Sequence, residues 1–205
     1  MFNANFVAKP ILEMPYKLIS KYQEPFETSI YELANGLRVY LSTNEEKPRI
    51  QTFIAVKAGF KDDPDDNTGL AHYLEHMMFK GSDRLGTSNW DKEKEILDSI
   101  SLLFEEHKKE SNAENKRKIY SEIDRLSSEA AAFAVPNDYD KLVSNIGAKG
   151  TNAYTSFDQT VYINDIPANE LERWLKIESE RFRKLVLRLF HTELETVYEE
   201  FNMRN

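Results

Sequence analysis

Hydrophobic residues alternate with polar ones in the early part of the chain, a pattern typical of half-buried β-strands. Residues 28–42 predict a strand, a turn and a second strand, because Asn35-Gly36 at their centre is a strong hairpin signal. Residues 48–59 predict one more strand. Residues 1–27 contain three prolines and predict an extended lead-in to these strands.

Within a highly charged segment, residues 92–136, apolar residues recur at helical spacing. It predicts two helices joined near Ser111-Asn112, and the simplest interpretation is a surface helical hairpin. Beyond this segment the pattern predicts three more helices and two more strands. The helices lie at residues 139–145, 168–184 and 192–201, and the strands at residues 152–156 and 160–164.

One pentad, HYLEH from His72 to His76, carries two histidines four positions apart with a glutamate directly before the second. The capping-type residues 67–68 favour a helix that begins just before it. On a helix, His72, Glu75 and His76 share one face, so they can hold a divalent metal and a general base. The opposite face carries an apolar stripe of Leu70, Leu74 and Met77. A chance pairing of two histidines on a solvated helix is the alternative that the pentad alone leaves open.

A third ligand would complete a catalytic metal site, because zinc in such sites usually takes three protein ligands and leaves one position open. Cysteine is absent, so the third donor must be His, Asp or Glu. In the last predicted helix, Glu193 and Glu200 flank a narrow apolar stripe, whereas Glu195 and Glu199 point away from it. Helical phase therefore favours Glu193 or Glu200, with a solvated acidic helix face as the alternative.

Four segments of the chain resemble the inverzincin peptidases (peptidase family M16), which include pitrilysin, insulin-degrading enzyme and the mitochondrial processing peptidase. These segments are GLRVY at 36–40, GLAHYLEHMMFKG at 69–81, GTNAYTS at 150–156 and ELETVYEE at 193–200. The likeness is to the N-terminal catalytic domain of that family and covers most of the chain outside residues 92–136.

The resemblance implies a zinc-dependent endopeptidase that hydrolyses peptide bonds in peptides or unfolded polypeptides. In this sequence, the family's three ligands of one Zn²⁺ match His72, His76 and Glu200, with manganese or cobalt as alternative metals. Glu75 matches the general base that takes a proton from the attacking water. Glu193 matches a catalytic residue behind the ligands, which orients a ligand or supports proton transfer.

Substrate binding is assigned by the same resemblance to Asn152, Ala153 and Tyr154. They match the family's edge strand, which adds a peptide to its sheet through backbone hydrogen bonds. From propensity alone, an ordinary strand after a glycine-rich turn is the simpler interpretation.

The resemblance implies an α+β fold in which an antiparallel or mixed sheet packs against helices. We expect residues 1–205 to form a single catalytic domain that is incomplete at its C-terminus, with residues 92–136 as a helical insertion. Active relatives place a homologous second half across the site. We therefore expect a second half, on the same chain or in a partner subunit, and little or no activity from these residues alone.

Charge and composition exclude some classes of function. The chain has 27 basic and 35 acidic residues, for a net charge of −8, which argues against a nucleic-acid or anionic-membrane binder. No apolar run is long enough to span a bilayer. Residues 1–16 lack the apolar segment of a signal peptide, which is compatible with a cytoplasmic location, or with a periplasmic one if a signal was removed.

Two other functions remain open from the sequence. The first is a non-catalytic subunit that keeps the fold and binds peptide or serves a structural role without cutting. The second is a metal-binding module with no peptide role. Cleavage that depends on Glu75 would separate the peptidase from both.

Overall fold

Two compact units make up the chain, residues 1–48 and residues 49–205, and each contains its own antiparallel sheet. The structure is a computed structural model that describes residues 15–23, 27–44 and 46–204. The predicted single domain with a helical insertion stays a prediction.

The first unit is a three-stranded sheet in the order β1-β2-β3. Its strands are β1 Tyr16–Tyr22, β2 Thr28–Leu33 and β3 Arg38–Ser42. The predicted hairpin is confirmed as β2 and β3, which turn at Gly36 with a φ of 85°, a conformation that glycine adopts without strain.

The lead-in predicted for residues 1–27 is a paired strand where the structure describes it. β1 runs antiparallel to β2, from the pair Tyr16–Leu33 to the pair Tyr22–Thr28. The extended conformation predicted from the prolines is therefore found here, and the seven residues of β1 contain no proline, so each can donate along the ladder. Residues 1–14 and 24–26 of this prediction lie outside the described residues.

The second unit holds a sheet in the order β4-β6-β5, with every pair antiparallel. The strands are β4 Arg49–Val56, β5 Lys149–Thr155 and β6 Thr160–Pro167. The central strand β6 is the most buried, and Val161 and Ile166 on it belong to the core. In the described part of the chain β5 lies at one edge of this sheet.

Six helices accompany this sheet among the described residues. They are α1 Leu70–Met77, α2 Trp90–Lys109, α3 Ala113–Ala131, α4 Asp138–Asn145, α5 Leu171–Arg183 and α6 Phe190–Arg204. The predicted α+β class is therefore confirmed, and a helix is present at each predicted place along the chain. None of the described helices is long and apolar enough to cross a membrane.

The hairpin of α2 and α3 is tied to the rest of the unit by a buried ion pair. Arg188, in the segment before α6, is bound to Glu93 of α2 at 2.5 Å from Nε to Oε1 and 2.9 Å from Nη2 to Oε2. Arg188 also donates to three backbone carbonyls after α1, those of Lys80, Ser82 and Leu85. The start of α6 is thereby fixed to the end of α1.

A second buried arginine joins α4, α5 and β6. Arg181 pairs with Glu178 on α5 and lies over the rings of Tyr139 and Tyr162, with centroid distances of 4.5 and 4.6 Å. Burial raises the pKa of Tyr162 to about 12, so its phenol stays neutral. Tyr139 completes the network by donating to Glu178 at 2.7 Å and accepting from Asn164 at 3.1 Å.

Candidate functional site

The pentad lies on α1, and an aspartate in the preceding loop caps that helix. The carboxylate of Asp63 accepts from the backbone N–H of Gly69 at 2.7 Å and of Ala71 at 2.8 Å. The negative charge of Asp63 at the N-terminus of α1 also interacts favourably with the helix dipole. The cap predicted at residues 67–68 is wrong, because the N-cap is Gly69, with a φ of 91° that glycine tolerates best.

α1 is anchored by packing against α6. Tyr73 and Met77 are buried in a cluster with Val197, and the Tyr73 hydroxyl donates to the carbonyl of Phe190 at 3.0 Å. The predicted apolar stripe is only partly correct, since Leu70 and Leu74 each remain 39% exposed. The aromatic ring of Tyr73 takes the buried position instead, and this packing brings α6 to the histidines.

Three predicted ligands form a triangle of donor atoms. Nε2 of His72 lies 3.2 Å from Nε2 of His76, and Oε2 of Glu200 lies 3.7 and 3.8 Å from these two nitrogens. Metal–ligand bonds of about 2.0–2.2 Å in tetrahedral geometry place ligand atoms about 3.3–3.6 Å apart. The two imidazoles and one carboxylate therefore fit a single metal ion in donor type and spacing.

Glu75 lies beside this triangle. Donor atoms of His72, Glu75 and His76 lie within 4.8 Å of one another, so by distance Glu75 also counts among groups able to hold a metal. Its side chain is buried, and Oε2 accepts from the Thr155 hydroxyl at 2.5 Å. Oε2 of Glu200 lies almost equally far from both ring nitrogens, whereas Glu75 is hydrogen-bonded to Thr155 of β5.

Glu193 holds the other side of the His76 ring. Nδ1 of His76 lies 2.9 Å from Oε1 of Glu193, and Nζ of Lys80 lies 2.5 Å from Oε2. An ionised carboxylate can only accept, so Nδ1 carries a proton and, when the ring is neutral, Nε2 presents its lone pair to the triangle. This is the arrangement by which a carboxylate orients a metal-binding histidine.

Charge around Glu193 shifts two pKa values. The hydrogen bond to Glu193 raises the pKa of His76 against the opposing effect of burial. Burial alone would raise the pKa of Glu193, but hydrogen bonds from His76 and Lys80 outweigh it and hold that pKa below its usual value. Sequence reasoning missed Lys80, because its partner Glu193 comes from α6 and is brought to it only by tertiary packing.

An open cavity of about 390 Å³ lies in front of the triangle. One wall is β5, which contributes the predicted substrate-binding residues Asn152, Ala153 and Tyr154, and His72, Glu75, His76 and Glu200 line the same cavity. The structure thus brings every predicted site residue except Glu193 to this space. Phe60 and Asp140 also line it, and no sequence motif pointed to either.

Comparison with known sequences points to one family. A profile described as insulinase (peptidase family M16) matches residues 38–120. A probable mitochondrial-processing peptidase subunit beta from Arabidopsis thaliana is 36% identical over 86 residues, which cover 36% of this chain and 16% of that protein. Insulin-degrading enzyme from Bos taurus is 32% identical over 103 residues, which cover 50% of this chain and 9% of that protein. The matched regions are thus small parts of these relatives.

Solved structures share the fold over nearly the whole chain. The crystal structure of pitrilysin superposes with a TM-score of 0.59 at 16% identity, covering 94% of this chain and 16% of pitrilysin. A protease from Helicobacter pylori superposes with a TM-score of 0.57 at 21% identity, covering 93% of this chain and 32% of that protein. At these identities the likeness establishes a pitrilysin-like fold.

Proposed function

Because residues 38–120 match the insulinase profile (peptidase family M16) and the fold is pitrilysin-like, we propose that the chain is the catalytic domain of a zinc-dependent endopeptidase of that family. Its substrates are peptides or unfolded polypeptides. The observation that carries the proposal is the triangle of His72, His76 and Glu200 with the buried carboxylate of Glu75 beside it. Relatives named as zinc proteases, among them a putative one from Caenorhabditis elegans, support the choice of metal.

In this proposal His72, His76 and Glu200 hold the metal. Two imidazoles and a carboxylate are donors that suit zinc, while manganese and cobalt accept the same set. A zinc ion bound there supplies Lewis-acid chemistry, which lowers the pKa of a water molecule toward about 7 and polarises the scissile carbonyl. Glu193 and Lys80 keep the His76 ring in the tautomer that offers Nε2.

Glu75 moves the proton. As the water oxygen attacks the carbonyl carbon, the Glu75 carboxylate accepts a proton from that water. When the carbon–nitrogen bond breaks, Glu75 returns the proton to the leaving amine, so the carboxylate is regenerated at the end of each turnover. Its burial and its position beside the triangle support this role.

The substrate backbone binds along β5. Asn152, Ala153 and Tyr154 pair with β6 on one side, and their other side lies at the sheet edge in the described part of the chain. An extended peptide added there makes main-chain hydrogen bonds that do not depend on its sequence. We therefore propose broad substrate tolerance, with selectivity set by side chains that line the cavity.

A second half completes the site in this proposal. The chain covers only 16% of pitrilysin and 32% of the Helicobacter pylori protease. Another structure of similar fold, with a TM-score of 0.51, is described as the first half of the periplasmic protease PqqL from Escherichia coli. A homologous half, on the same polypeptide or in a partner subunit, would supply further substrate-binding groups.

The direct test is Glu75→Gln in the full-length protein. We expect zinc content to stay at the wild-type level and cleavage of a quenched peptide library to fall by about 100-fold or more, because general-base catalysis contributes about 10²–10⁴. The matched control is Glu199→Gln, an exposed glutamate on α6, which should cleave like wild type. A wild-type protein that binds zinc but cleaves no peptide would instead support a non-catalytic peptide-binding subunit.

A further inference from the structure

Thr155 connects the peptide-binding strand to the proposed general base. It is the last residue of β5, directly after Asn152, Ala153 and Tyr154. Its hydroxyl donates to Oε2 of Glu75 at 2.5 Å, a short distance typical of a hydrogen bond to an ionised oxygen. This contact joins α1 to β5 across 80 positions in sequence.

The hydrogen-bond network fixes the direction of that contact. Each threonine hydroxyl has one proton to donate. Thr160 uses its proton on the carbonyl of Ala58, at 2.9 Å, and its oxygen lies 3.3 Å from the Thr155 oxygen. An ionised carboxylate only accepts, so the Thr155 proton is directed to Glu75.

The end of β5 is held firmly by its surroundings. The backbone N–H of Ser156 donates to the carbonyl of Gln159 at 2.8 Å, and the carbonyl of Ser156 accepts from the N–H of Phe60 at 3.0 Å. This close approach depends on Gly59, since a Cβ there would lie 2.3 Å from the Ser156 carbonyl oxygen. Thr155 is therefore presented from a rigid strand end.

We propose that Thr155 is a positioning residue that sets the orientation of the Glu75 carboxylate and couples it to peptide binding on β5. The proposal rests on the peptidase function proposed above. With Oε2 held by Thr155, the other oxygen of Glu75 is the one that accepts the proton from water. A peptide added to β5 and the carboxylate of Glu75 are then both fixed by the same rigid strand, and small errors in such geometry are costly to catalysis.

The test compares Thr155→Val and Thr155→Ser in the full-length protein. Valine keeps the shape of threonine and removes the hydroxyl, whereas serine keeps the hydroxyl. We expect Thr155→Val to lower kcat by about 10- to 100-fold with KM within about twofold of wild type, because only the placement of the base changes. Zinc content should be unchanged, and Thr155→Ser should restore kcat to within about threefold.

The matched control is Thr52→Val, which removes a different threonine hydroxyl from the same sheet, one that donates to the Asn164 carbonyl at 3.0 Å. If Thr155→Val acted only by destabilising the sheet, Thr52→Val would lower kcat as well. Equal losses in Thr155→Val and Thr52→Val, or in Thr155→Val and Thr155→Ser, would overturn the proposal, as would a wild-type kcat in Thr155→Val.

Crystal structures of the zinc-loaded variants give a readout that does not need activity. In wild type and Thr155→Ser, we expect the Glu75 carboxylate to contact the hydroxyl of residue 155, and in Thr155→Val to rotate away or adopt several orientations. A Glu75 side chain unmoved in Thr155→Val would refute the positioning role. If wild type cleaves nothing, the proposed function fails, and these structures still decide whether Thr155 positions Glu75.

Discussion

At the residue scale, both nitrogens of the His76 ring are engaged. Nδ1 bonds to Glu193, while Nε2 faces His72 and Glu200. Glu193 is in turn bound by Lys80. The two glutamates of α6, seven positions apart, thus lie at opposite nitrogens of one ring, and Glu193 contacts His76 on the side away from the proposed metal position.

The pH dependence of metal binding follows from this arrangement. The hydrogen bond to Glu193 raises the pKa of His76, so the ring keeps its proton to a higher pH than an ordinary histidine. A protonated ring has no lone pair at Nε2, and proton and metal therefore compete. We expect zinc affinity to fall steadily from about pH 8 to about pH 5, measured by competition with a chelator of known affinity. Affinity that stays flat over this range would contradict the assignment of His76.

A matched variant, Glu193→Gln, checks the cause. Without the carboxylate, the pKa of His76 should fall, so the loss of zinc affinity should begin at a lower pH. In the metal-free chain, a change in pH affects the stability contributions of Glu193 and His76 in opposite directions. The contribution of Glu193 to stability is lost as pH falls through its lowered pKa, and that of His76 is lost as pH rises through its raised pKa.

At the element scale, the segment before α6 is held by Arg188. Its guanidinium reaches Glu93 on α2 and three carbonyls between α1 and α2. Both side chains of the ion pair are almost fully buried. Together with the packing of α1 on α6, these contacts of Arg188 place Glu193 and Glu200 relative to α1.

Replacing Arg188 with methionine should strongly destabilise the folded chain. It leaves the buried carboxylate of Glu93 without its cation, which costs about 3–5 kcal/mol and lowers Tm by roughly 6–20 °C for a chain of this size. Thermal unfolding followed by calorimetry measures this. The control is Arg125→Met, an exposed arginine on α3 that pairs with Glu122 and Glu129 and should change Tm little. Equal shifts in the two variants would show that Arg188 does not hold this junction.

Elements with strong periodicity were predictable from the sequence, but the contacts between these elements were not. The β2–β3 hairpin, α1 and the α2–α3 pair follow from local patterns, because turn chemistry and apolar spacing act over a few residues. The cap of α1 by Asp63 and the pairing of β1 with β2 depend on contacts that apolar spacing does not encode. Arg188 bears no local signal of burial, since charged residues are rarely buried unless paired.

At the scale of the whole molecule, the site is assembled from distant parts of the second unit. His72, Glu75 and His76 come from α1, Glu200 comes from α6, and the wall of the cavity comes from β5. Helical phase selected Glu193 and Glu200 but could not separate their roles, because that depends on how α6 packs on α1. Thr155 and Lys80 were missed for the same reason, since their partners are set by tertiary packing.

The sequence match to relatives spans only a small part of their length. What the second unit supplies by itself is a complete set of proposed ligands and a base around one cavity. Metal binding is therefore the property we expect to survive in this chain even where cleavage requires a second half.

The most direct measurement is an anomalous diffraction map at the zinc absorption edge, from zinc-loaded crystals of the full-length protein. We predict a single strong peak in this domain, bounded by Nε2 of His72, Nε2 of His76 and the carboxylate of Glu200. Glu75 should lie beside it without ligating, its Oε2 still bound by Thr155. A map with no peak there, or a peak ligated by Glu75 in place of Glu200, would contradict the account.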